Sequence, residues 1–439
     1  MPDRFDVAIV GARCAGASLA VNLARAGLQV CLFDRAEFPS DTLSTHGIQP
    51  SGVQALERLG VRAQVEATTT PITKANIALG TSHVSVGDIP ALVGAPMLNV
   101  RRVTLDQLLV TRAASVGADV RTGVAVTGLV ETDGRVAGVR TRDGDVSANV
   151  VVGADGARST VADLVGAEEY AVTSPGRIFA WAYLEGVPST NGDAATVWLG
   201  KPARHAFLAS VTDGGLFMTA VTVDHDLKPQ LLADREGYVR AALQEWPDLA
   251  AVAARGRVVG PVRVMSQWRG FFRRSAGRGW ALVGDAGHFK DPTPGQGIAD
   301  AFRQSERLAT ALIDGLGGPR PLDDALTEYW QWRDADAWSM YWFAHDLGGP
   351  GQTTPLRRHV QQLLASEPER TEQLLRVLNH EMSPSALATP NLLLRALVNA
   401  FRDRPRDGVR LLAEARKLVW EELRRRRASP VTRPRPSSD

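Results

Sequence analysis

Apolar runs that break into glycine-rich turns divide this chain into strands and helices. The first strand is predicted by FDVAIV at 5–10, an apolar run typical of a parallel strand buried on both faces. A helix is predicted by AGASLAVNLARA at 15–26, and a second buried strand by LQVCLFD at 28–34. Strand, turn, helix and strand within about thirty residues are typical of a βαβ unit.

Two later segments repeat the order of strand, turn and helix. One is VVGADGARSTV at 151–161, and the other is WALVGDAGHFKDPTPGQGIADA at 280–301. Such turns bring backbone N–H groups and a positive helix end toward an anion. Because the first and last turns are so far apart in the chain, they predict one long cofactor held at both ends. FAD fits that requirement better than NAD does.

The rest of the pattern predicts the domain organisation. Strands with aromatic residues dominate 166–265, and the chain beyond Glu306 is helical. We expect an α/β protein with a Rossmann-like FAD-binding domain, an inserted and mainly antiparallel β substrate domain, and a helical C-terminal region. The expected boundaries are residues 1–165 plus 266–320 for the FAD-binding domain, 166–265 for the substrate domain, 321–427 for the helical region and 428–439 for a disordered tail.

Composition narrows the function classes. The 439 residues are 44% apolar and 22% charged, as in a soluble globular enzyme. A formal net charge of +2 gives no case for nucleic acid as a partner. Only Cys14 and Cys31 are present, so we expect no disulfide framework and no metal site. Since no secretory signal or membrane span is visible, we expect a cytoplasmic protein without stable membrane insertion.

The first turn is an altered dinucleotide fingerprint. Gly11 and Gly16 keep the outer glycines of GxGxxG, but Arg13 stands where the middle glycine belongs. Its Cβ denies a pyrophosphate the closest approach, and its guanidinium is a hypothetical phosphate contact. Asp34 ends the next strand, 23 residues after Gly11, where an acid can accept hydrogen bonds from ribose hydroxyls.

The late turn has the features of a flavin-ring site. Asp285 follows Gly284 at a strand end, where its carboxylate can accept from ribityl hydroxyls. Gly295 and Gly297 precede a helix, so we expect their amides to face the pyrimidine edge of a flavin and to favour the anionic reduced form. The turn at Asp155 is compatible either with a functional role or with helix capping by Asp155 or Ser159.

These motifs together resemble a known family. The GxxxxG turn with Asp34-Arg35, the DG motif at 155–158 and the GD motif at 284–297 resemble, in that order, the single-component FAD-dependent monooxygenases of the para-hydroxybenzoate hydroxylase fold. Relatives of that family include geranylgeranyl reductases and flavin-dependent halogenases. The resemblance covers roughly residues 5–315.

The resemblance implies a set of site residues. Gly11 and Gly16 would hold the pyrophosphate, Asp34 and Arg35 the adenosine side, and Arg102 phosphate or ribityl oxygens. His46 falls in a loop that passes beside the flavin in the family, and it is our candidate catalytic or gating residue. The family usually has Asn where this chain has Ala299. The complete implied cofactor set is Gly11, Arg13, Gly16, Asp34, Arg35, Thr45, Arg102, Asp155, Gly284, Asp285, Pro292, Gly295, Gln296, Gly297, Ile298 and Ala299.

The resemblance also implies a reaction. In the family, reduced FAD and O2 form a flavin C4a-hydroperoxide, from which one oxygen atom enters an apolar, aromatic or polycyclic small molecule. NADPH or NADH would dock transiently as reductant, or a separate flavin reductase would deliver reduced flavin. The middle sheet and the helix at 329–343 carry aromatic residues for an apolar pocket, with three candidate polar anchors in Arg177, Arg204 and His205.

Other chemistries stay open at this point. A geranylgeranyl reductase-like alkene reductase would use the same flavin motifs, and a non-catalytic flavin-binding protein is a further alternative. A halogenase would need a lysine beside the substrate, but we interpret Lys74 as a solvated surface residue. The WxWxIP motif of halogenases is missing, and the nearest segment is FAWAYLEGVP at 179–188.

Overall fold

The computed structural model describes residues 4–44, 46–174, 176–188, 190–191 and 194–430. In these residues the strands are β1 (Arg4–Val10), β2 (Val30–Asp34), β3 (Gly47–Ile48), β4 (Ile72–Leu79), β5 (Ser82–Val86), β6 (Leu98–Asn99), β7 (Asp119–Thr122), β8 (Val126–Thr132), β9 (Arg135–Thr141), β10 (Gly144–Gly153), β11 (Glu169–Thr173), β12 (Arg177–Glu185), β13 (Thr190–Asn191), β14 (Ala194–Lys201), β15 (Phe207–Thr212), β16 (Leu216–Asp224), β17 (Arg257–Met265), β18 (Gly270–Arg273), β19 (Ala276–Gly277), β20 (Trp280–Leu282) and β21 (His288–Phe289).

The α-helices follow the same order along the chain. They are α1 (Cys14–Arg25), α2 (Pro50–Leu59), α3 (Arg62–Glu66), α4 (Ile89–Val93), α5 (Arg102–Ser115), α6 (Thr160–Leu164), α7 (Lys228–Ala233), α8 (Arg235–Leu243), α9 (Pro247–Ala253), α10 (Gly297–Gly317), α11 (Leu322–Leu347), α12 (Pro355–Ser366), α13 (Pro368–Leu378), α14 (Pro390–Asp403) and α15 (Gly408–Ala428).

The chain divides into two compact units. The described residues of the first unit fall within Met1–Thr69, Leu98–Pro175 and Trp268–Arg333. Those of the second fall within Thr70–Met97, Gly176–Gln267 and Asp334–Asp439. Each unit is therefore assembled from three separate stretches of chain.

The first unit is built on a parallel sheet. Its strands run in the order β19-β20-β10-β1-β2-β7, and every pair from β20 to β7 is parallel. β2 is buried along its whole length, as its uninterrupted apolar sequence predicts. The antiparallel hairpin of β8 and β9 extends from β10. Helices α5 and α10 both pack against α1.

The second unit is built on a mixed sheet. Its strand order is β17-β12-β16-β15-β14-β4-β5, in which the pair β14 and β4 is parallel and the other pairs are antiparallel. One face of the sheet contributes Ala180, Ala182 and Val221 to a core cluster that also includes Trp246. A smaller cluster joins α12, α14 and α15 through Leu356, Leu392 and Leu411.

The units differ from the expected domain boundaries. Residues 70–97 pair with β14 and belong to the second unit, although they lie within the span expected for the FAD-binding domain. Helix α11 is continuous in sequence, but its first part to Arg333 belongs to the first unit and the remainder to the second. Of the expected tail at 428–439, residues 431–439 lie outside the described part of the chain. None of the described helices combines the length and apolar character needed to cross a bilayer.

Candidate functional site

The ends of four neighbouring parallel strands form the site. β20, β10, β1 and β2 are adjacent in the sheet, and they lead directly into Gly284, Asp155, Gly11 and Asp34. Because the carboxyl ends of parallel strands lie at one edge, motifs far apart in the sequence meet there. The turns after β1, β10 and β20 are in close contact with one another, as the packing around their glycines shows.

The glycines at this edge allow close packing of the turns. Gly11 has φ +104°, and a Cβ there would lie 2.5 Å from the carbonyl oxygen of Ala154. A Cβ on Gly16 would lie 1.8 Å from the oxygen of Gly11. A Cβ on Gly284 would lie 2.8 Å from Cβ of Ala15 in the first turn of α1. Only glycine fits at these positions. The turn at Gly11 therefore packs directly against the turn at Asp155, and Gly284 packs directly against the start of α1.

Asp34 connects the second strand to the first turn. Its Oδ2 accepts a hydrogen bond from the backbone N–H of Ala12 at 2.8 Å, and its Oδ1 accepts from that of Ala36 at 2.9 Å. The side chain is buried, whereas the neighbouring Arg35 is exposed. The carboxylate therefore fixes the shape of the turn, and its expected contact with a ribose stays a prediction.

A buried carboxylate next to the turn was not among the expected site residues. Asp106, on α5, is fully buried and binds the guanidinium of Arg13 at 2.8 Å and that of Arg102 at 2.9 Å. It also accepts a hydrogen bond from the thiol of Cys14 at 3.3 Å. Burial, together with the nearby Asp106, raises the pKa of that thiol, so Cys14 stays protonated. The sequence signal was the acid four residues after Arg102 on a helix.

Arg13 is held by the protein. Besides Asp106, its guanidinium donates to the carbonyl oxygen and the hydroxyl of Ser40, at 3.2 and 3.1 Å, and to the carbonyl oxygen of Asp41 at 3.3 Å. It also lies over the ring of Phe38, 5.5 Å from the centroid. The Arg13 side chain thus already has several partners within the protein. Its expected contact with a phosphate stays a prediction.

Asp285 carries the most strongly perturbed carboxyl of the site. It lies in the one-turn 3-10 segment Gly284–Ala286, accessible to solvent but with protein on most sides. Loss of surrounding water raises the pKa of Asp285 to about 6, because it outweighs the attraction of the Arg102 charge, and Asp300 adds to the rise. The Asp285 carboxyl is therefore expected to change protonation state near pH 6.

The loop before α10 is held by a buried ion pair. The ammonium of Lys290 lies 2.5 Å from Oδ2 of Asp300 and donates to Oε1 of Gln296 at 2.7 Å. A turn from Pro292 to Gly295 closes through a 2.9 Å hydrogen bond between Gly295 N–H and the oxygen of Pro292. This arrangement leaves Gly297 exposed at the start of α10, with Ile298 buried and Ala299 half-buried behind it.

His46 lies beside that loop. Residues 47–48 pair with Leu98–Asn99, just before α5, and Gln49 donates to the oxygen of Pro294 at 2.9 Å. The segment 47–49 therefore contacts both the strand before the Arg102 helix and the glycine loop, and its expected place beside a flavin stays a prediction. His46 is buried and has φ +60°, a strained conformation for a residue other than glycine. Its expected neighbour Thr45 lies outside the described residues.

Asp155 caps a helix. Its Oδ2 accepts from the backbone N–H groups of Thr160 and Val161 at 2.7 and 3.3 Å, and Oδ1 accepts from the Ser159 hydroxyl. Burial raises the pKa of Asp155 in spite of these hydrogen bonds. Of the two interpretations left open by the sequence, the structure shows the capping. A role of Asp155 in cofactor binding stays a prediction.

The site fits FAD. Among the described residues, the N-cap of α1 makes no side-chain capping bond and the first turn of that helix has no acid, so the helix end is available to a pyrophosphate. The four strand ends extend from Asp34, expected on the adenosine side, to Asp285, expected on the ribityl side. Beyond Asp285, the start of α10 offers a positive helix end to a ring system.

The candidate polar anchors belong to the second unit. Arg177 is fully buried and donates to Thr222 at 2.8 Å, and Arg204 pairs with Asp224 at 2.7 Å. His205 hydrogen-bonds Glu245 at 2.7 Å and Tyr238 at 2.9 Å. These contacts join β12 to β16, and the loop before β15 to β16, to α8 and to the residues that follow α8. Lys74 lies half-buried on β4.

Comparisons with known proteins agree with the site. A family model described as an FAD binding domain matches residues 4–344, so the chain belongs to that family of FAD-binding proteins. The predicted family and FAD cofactor are thereby confirmed, and the chain is an FAD-dependent oxidoreductase.

Its relatives catalyse different reactions. The chain is 29% identical over 328 residues to 6-methylpretetramide 4-monooxygenase of Streptomyces rimosus, covering 71% of this chain and 76% of the relative. It is 28% identical over 342 residues to menaquinone reductase of Mycolicibacterium smegmatis, covering 72% and 78%. It is 23% identical over 383 residues to 1H-pyrrole-2-carbonyl-(peptidyl-carrier protein) brominase of Pseudoalteromonas luteoviolacea, covering 82% and 91%.

A solved structure shares the fold. The flavin-dependent brominase Bmp2 superposes with a TM-score of 0.73 at 18% identity, covering 91% of this chain and all of the brominase chain. The predicted fold class, an α/β FAD-binding architecture with added sheets and a helical C-terminal region, is confirmed.

Proposed function

We propose that the protein is an FAD-dependent monooxygenase that inserts one atom of O2 into an apolar small molecule, with NADPH or NADH as reductant. The observation that carries the proposal is the meeting of Gly11, Asp34, Asp155 and Gly284 at the ends of four adjacent parallel strands. When reduced, FAD supplies the two electrons with which O2 reacts, so that one oxygen atom enters the substrate and the other leaves as water.

The residues at the strand ends would bind and orient the cofactor. The α1 N-terminus would hold the pyrophosphate through backbone N–H groups, and Asp34 would accept from the ribose. Arg102, whose charge Asp106 compensates, and Asp285 would hold the ribityl chain. The positive end of α10 would favour the negative charge that the flavin ring gains on reduction.

His46 would control access beside the ring. Its strained φ and its burial are features found where function maintains an unfavourable conformation. A buried imidazole in this position can move a proton to or from bound substrate, or exclude water by its bulk.

The apolar nature of the substrate is supported by β12. Phe179, Trp181 and Tyr183 alternate with residues of the core cluster and therefore project from the opposite face of the sheet. All three are buried, and Nε1 of Trp181 has no hydrogen-bond partner among the described residues. An aromatic surface with one unsatisfied donor suits a polycyclic compound that carries a carbonyl or hydroxyl oxygen.

The experiment is turnover with labelled oxygen. The purified holoenzyme is incubated with NADPH or NADH, a panel of polycyclic aromatic compounds and ¹⁸O2, and the products are weighed by mass spectrometry. We expect one labelled oxygen per product and oxygen uptake that matches substrate consumption. A product lacking the label would contradict the proposal.

A reductase is the second candidate. The 28% identity to a menaquinone reductase favours it, since the matched region spans 72% of this chain. The same assay without oxygen separates the two. Hydrogenation of an isoprenoid quinone under nitrogen, with no oxygen uptake in air, would establish the reductase in place of the monooxygenase.

A further inference from the structure

The last helix exposes an apolar surface. Of the large apolar side chains that are exposed in the described residues, five lie on α15: Val409, Leu412, Val419, Trp420 and Leu423. Val409 is 87% exposed and Trp420 is 58% exposed. The neighbouring helix α14 adds Leu394 and Val398. Exposed apolar side chains concentrated in this way mark an interaction surface.

The orientation of α15 is fixed by its other face. Leu411 is fully buried, and Ala415 and Leu418 pack on the same cluster, which joins α15 to α12 and α14. At about 100° per residue, the five exposed apolar side chains fall within an arc of about 100° that does not include these three. The apolar surface is therefore a separate stripe, turned away from the protein.

Positive charge accompanies this stripe. Arg416 and Arg427 fall within the same arc by helical position, Arg424 lies about 40° beyond its edge, and Arg410 lies farther round the helix. None of these four arginines has an acidic partner in the described residues. The guanidinium of Arg424 lies over the ring of Trp420, 5.2 Å from its centroid.

The acids of α15 lie outside the stripe. Glu414 accepts from the backbone N–H groups of Leu356 and Arg357, both at 3.3 Å. Glu421 and Glu422 pair with Lys417 and Arg426 along the helix, at 3.9 and 2.6 Å. The stripe thus combines apolar side chains with uncompensated positive charge.

We propose that α15 docks this protein on the surface of an anionic lipid bilayer. In such an interface the apolar stripe enters the boundary between headgroups and acyl chains, while the arginines meet lipid phosphates. Trp420 is the type of side chain that prefers this boundary. A second copy of the chain fits poorly, because two such stripes would bring unpaired arginines together. Nucleic acid would satisfy the charges but leave the apolar side chains in water.

The test is sedimentation of the purified full-length protein with lipid vesicles. One set of vesicles is pure phosphatidylcholine, and the other contains phosphatidylglycerol as well. We expect binding to the anionic vesicles at least about tenfold tighter than to the neutral ones, and weakened by salt. The double variants Trp420→Ser/Leu423→Ser and Arg416→Glu/Arg427→Glu should each lose about tenfold or more.

Matched controls separate this surface from general effects. Leu232→Ser removes an apolar side chain of similar exposure on α7, and the double variant Arg142→Glu/Arg278→Glu makes the same change of charge at exposed arginines elsewhere. Both should bind as the wild type does, and circular dichroism should show all variants folded. Equal binding to both kinds of vesicle, or unchanged binding by both double variants, would overturn the proposal. The proposal would also be overturned if the wild-type protein bound no vesicles but formed a dimer that the double variant Trp420→Ser/Leu423→Ser dissociated.

Discussion

Asp106 is the acid that compensates the positive charges of the candidate cofactor site. It is fully buried and compensates two arginines from different elements, Arg13 before α1 and Arg102 at the start of α5. Of the two arginines, Arg102 also interacts with a second acid, Asp285. The role of Asp106 is to position the arginines, since the cofactor itself would be met by other groups.

Asp106→Asn should lower the free energy of unfolding by about 3 to 5 kcal/mol, because it leaves two guanidinium groups without their buried counter-charge. Urea denaturation of the cofactor-free protein measures this change. The matched control is Asp119→Asn, which removes an exposed carboxylate paired with Arg121 and should cost less than about 1 kcal/mol. Equal losses in the two variants would contradict the role of Asp106.

Arg13→Ala tests the residue that replaces the middle glycine of the fingerprint. If the guanidinium reaches a phosphate as well as Asp106 and Ser40, the dissociation constant for FAD should rise about tenfold. Arg62→Ala, which removes a partly exposed arginine paired with Glu66, serves as the control. Fluorescence titration of the cofactor-free protein gives both values. Unchanged affinity in Arg13→Ala would show that this arginine acts on the protein alone.

The raised pKa of Asp285 predicts a pH dependence of FAD binding. The ionised carboxylate accepts hydrogen bonds from hydroxyl groups, so affinity should be high above the pKa of about 6 and fall as the pH drops through it. At pH 5 only about one tenth of Asp285 is ionised, and the dissociation constant should rise up to about tenfold. Asp285→Asn should bind more weakly and without this step. A wild-type affinity that is flat between pH 5 and 7.5 would exclude the carboxylate from the site.

The raised pKa of Asp285 also predicts how the free energy of unfolding changes with pH. The folded carboxyl holds its proton to higher pH than the unfolded one, whose pKa is about 3.9. As the pH rises from 4 to 6, the unfolded chain releases this proton first, so the contribution of Asp285 to the stability of the cofactor-free protein decreases. Asp285→Asn should remove that decrease.

Among the secondary-structure elements, the strands of the parallel sheet and the turns at their carboxyl ends could be predicted from the sequence. Apolar runs ending in glycine predicted β1, β10 and β20, an apolar run ending in Asp34 predicted β2, and parallel strands must end at one edge. The ion pair of Lys290 with Asp300 was not predictable in the same way. A lysine in a loop and an acid in the first helical turn are typical of solvated surfaces, and only the folded loop brings them together in a buried place.

Lys290→Met tests whether that ion pair shapes the glycine loop. The change removes the buried ammonium from Asp300, which also pairs with Arg303, and we expect a loss of about 3 kcal/mol in the free energy of unfolding together with about tenfold weaker FAD binding. Lys290→Arg should restore most of the affinity. Lys201→Met removes another buried lysine, in the second unit, and should destabilise the protein without changing its affinity for FAD. Equal effects of the two methionine variants on FAD binding would contradict the role of Lys290.

For the whole molecule, local sequence patterns could not predict which stretches of chain form each of the two units. Residues 70–97 carry the alternation of a strand, which gives no information about which sheet the strand joins. Its partner β14 lies more than a hundred residues further along the chain, and that pairing decides the unit. The site itself was more accessible to sequence reasoning, since it depends on turn residues that only glycine or a short acid can provide.

The central claim is that FAD binds across the four strand ends, and its most direct test is the flavin content of the protein. We measure the visible spectrum of the protein as purified and after it is mixed with excess FAD and freed of unbound ligand by gel filtration. The prediction is one FAD per chain, with Gly284→Val retaining little because its side chain would collide with Ala15. A folded wild-type protein that stays colourless after this treatment would contradict the account.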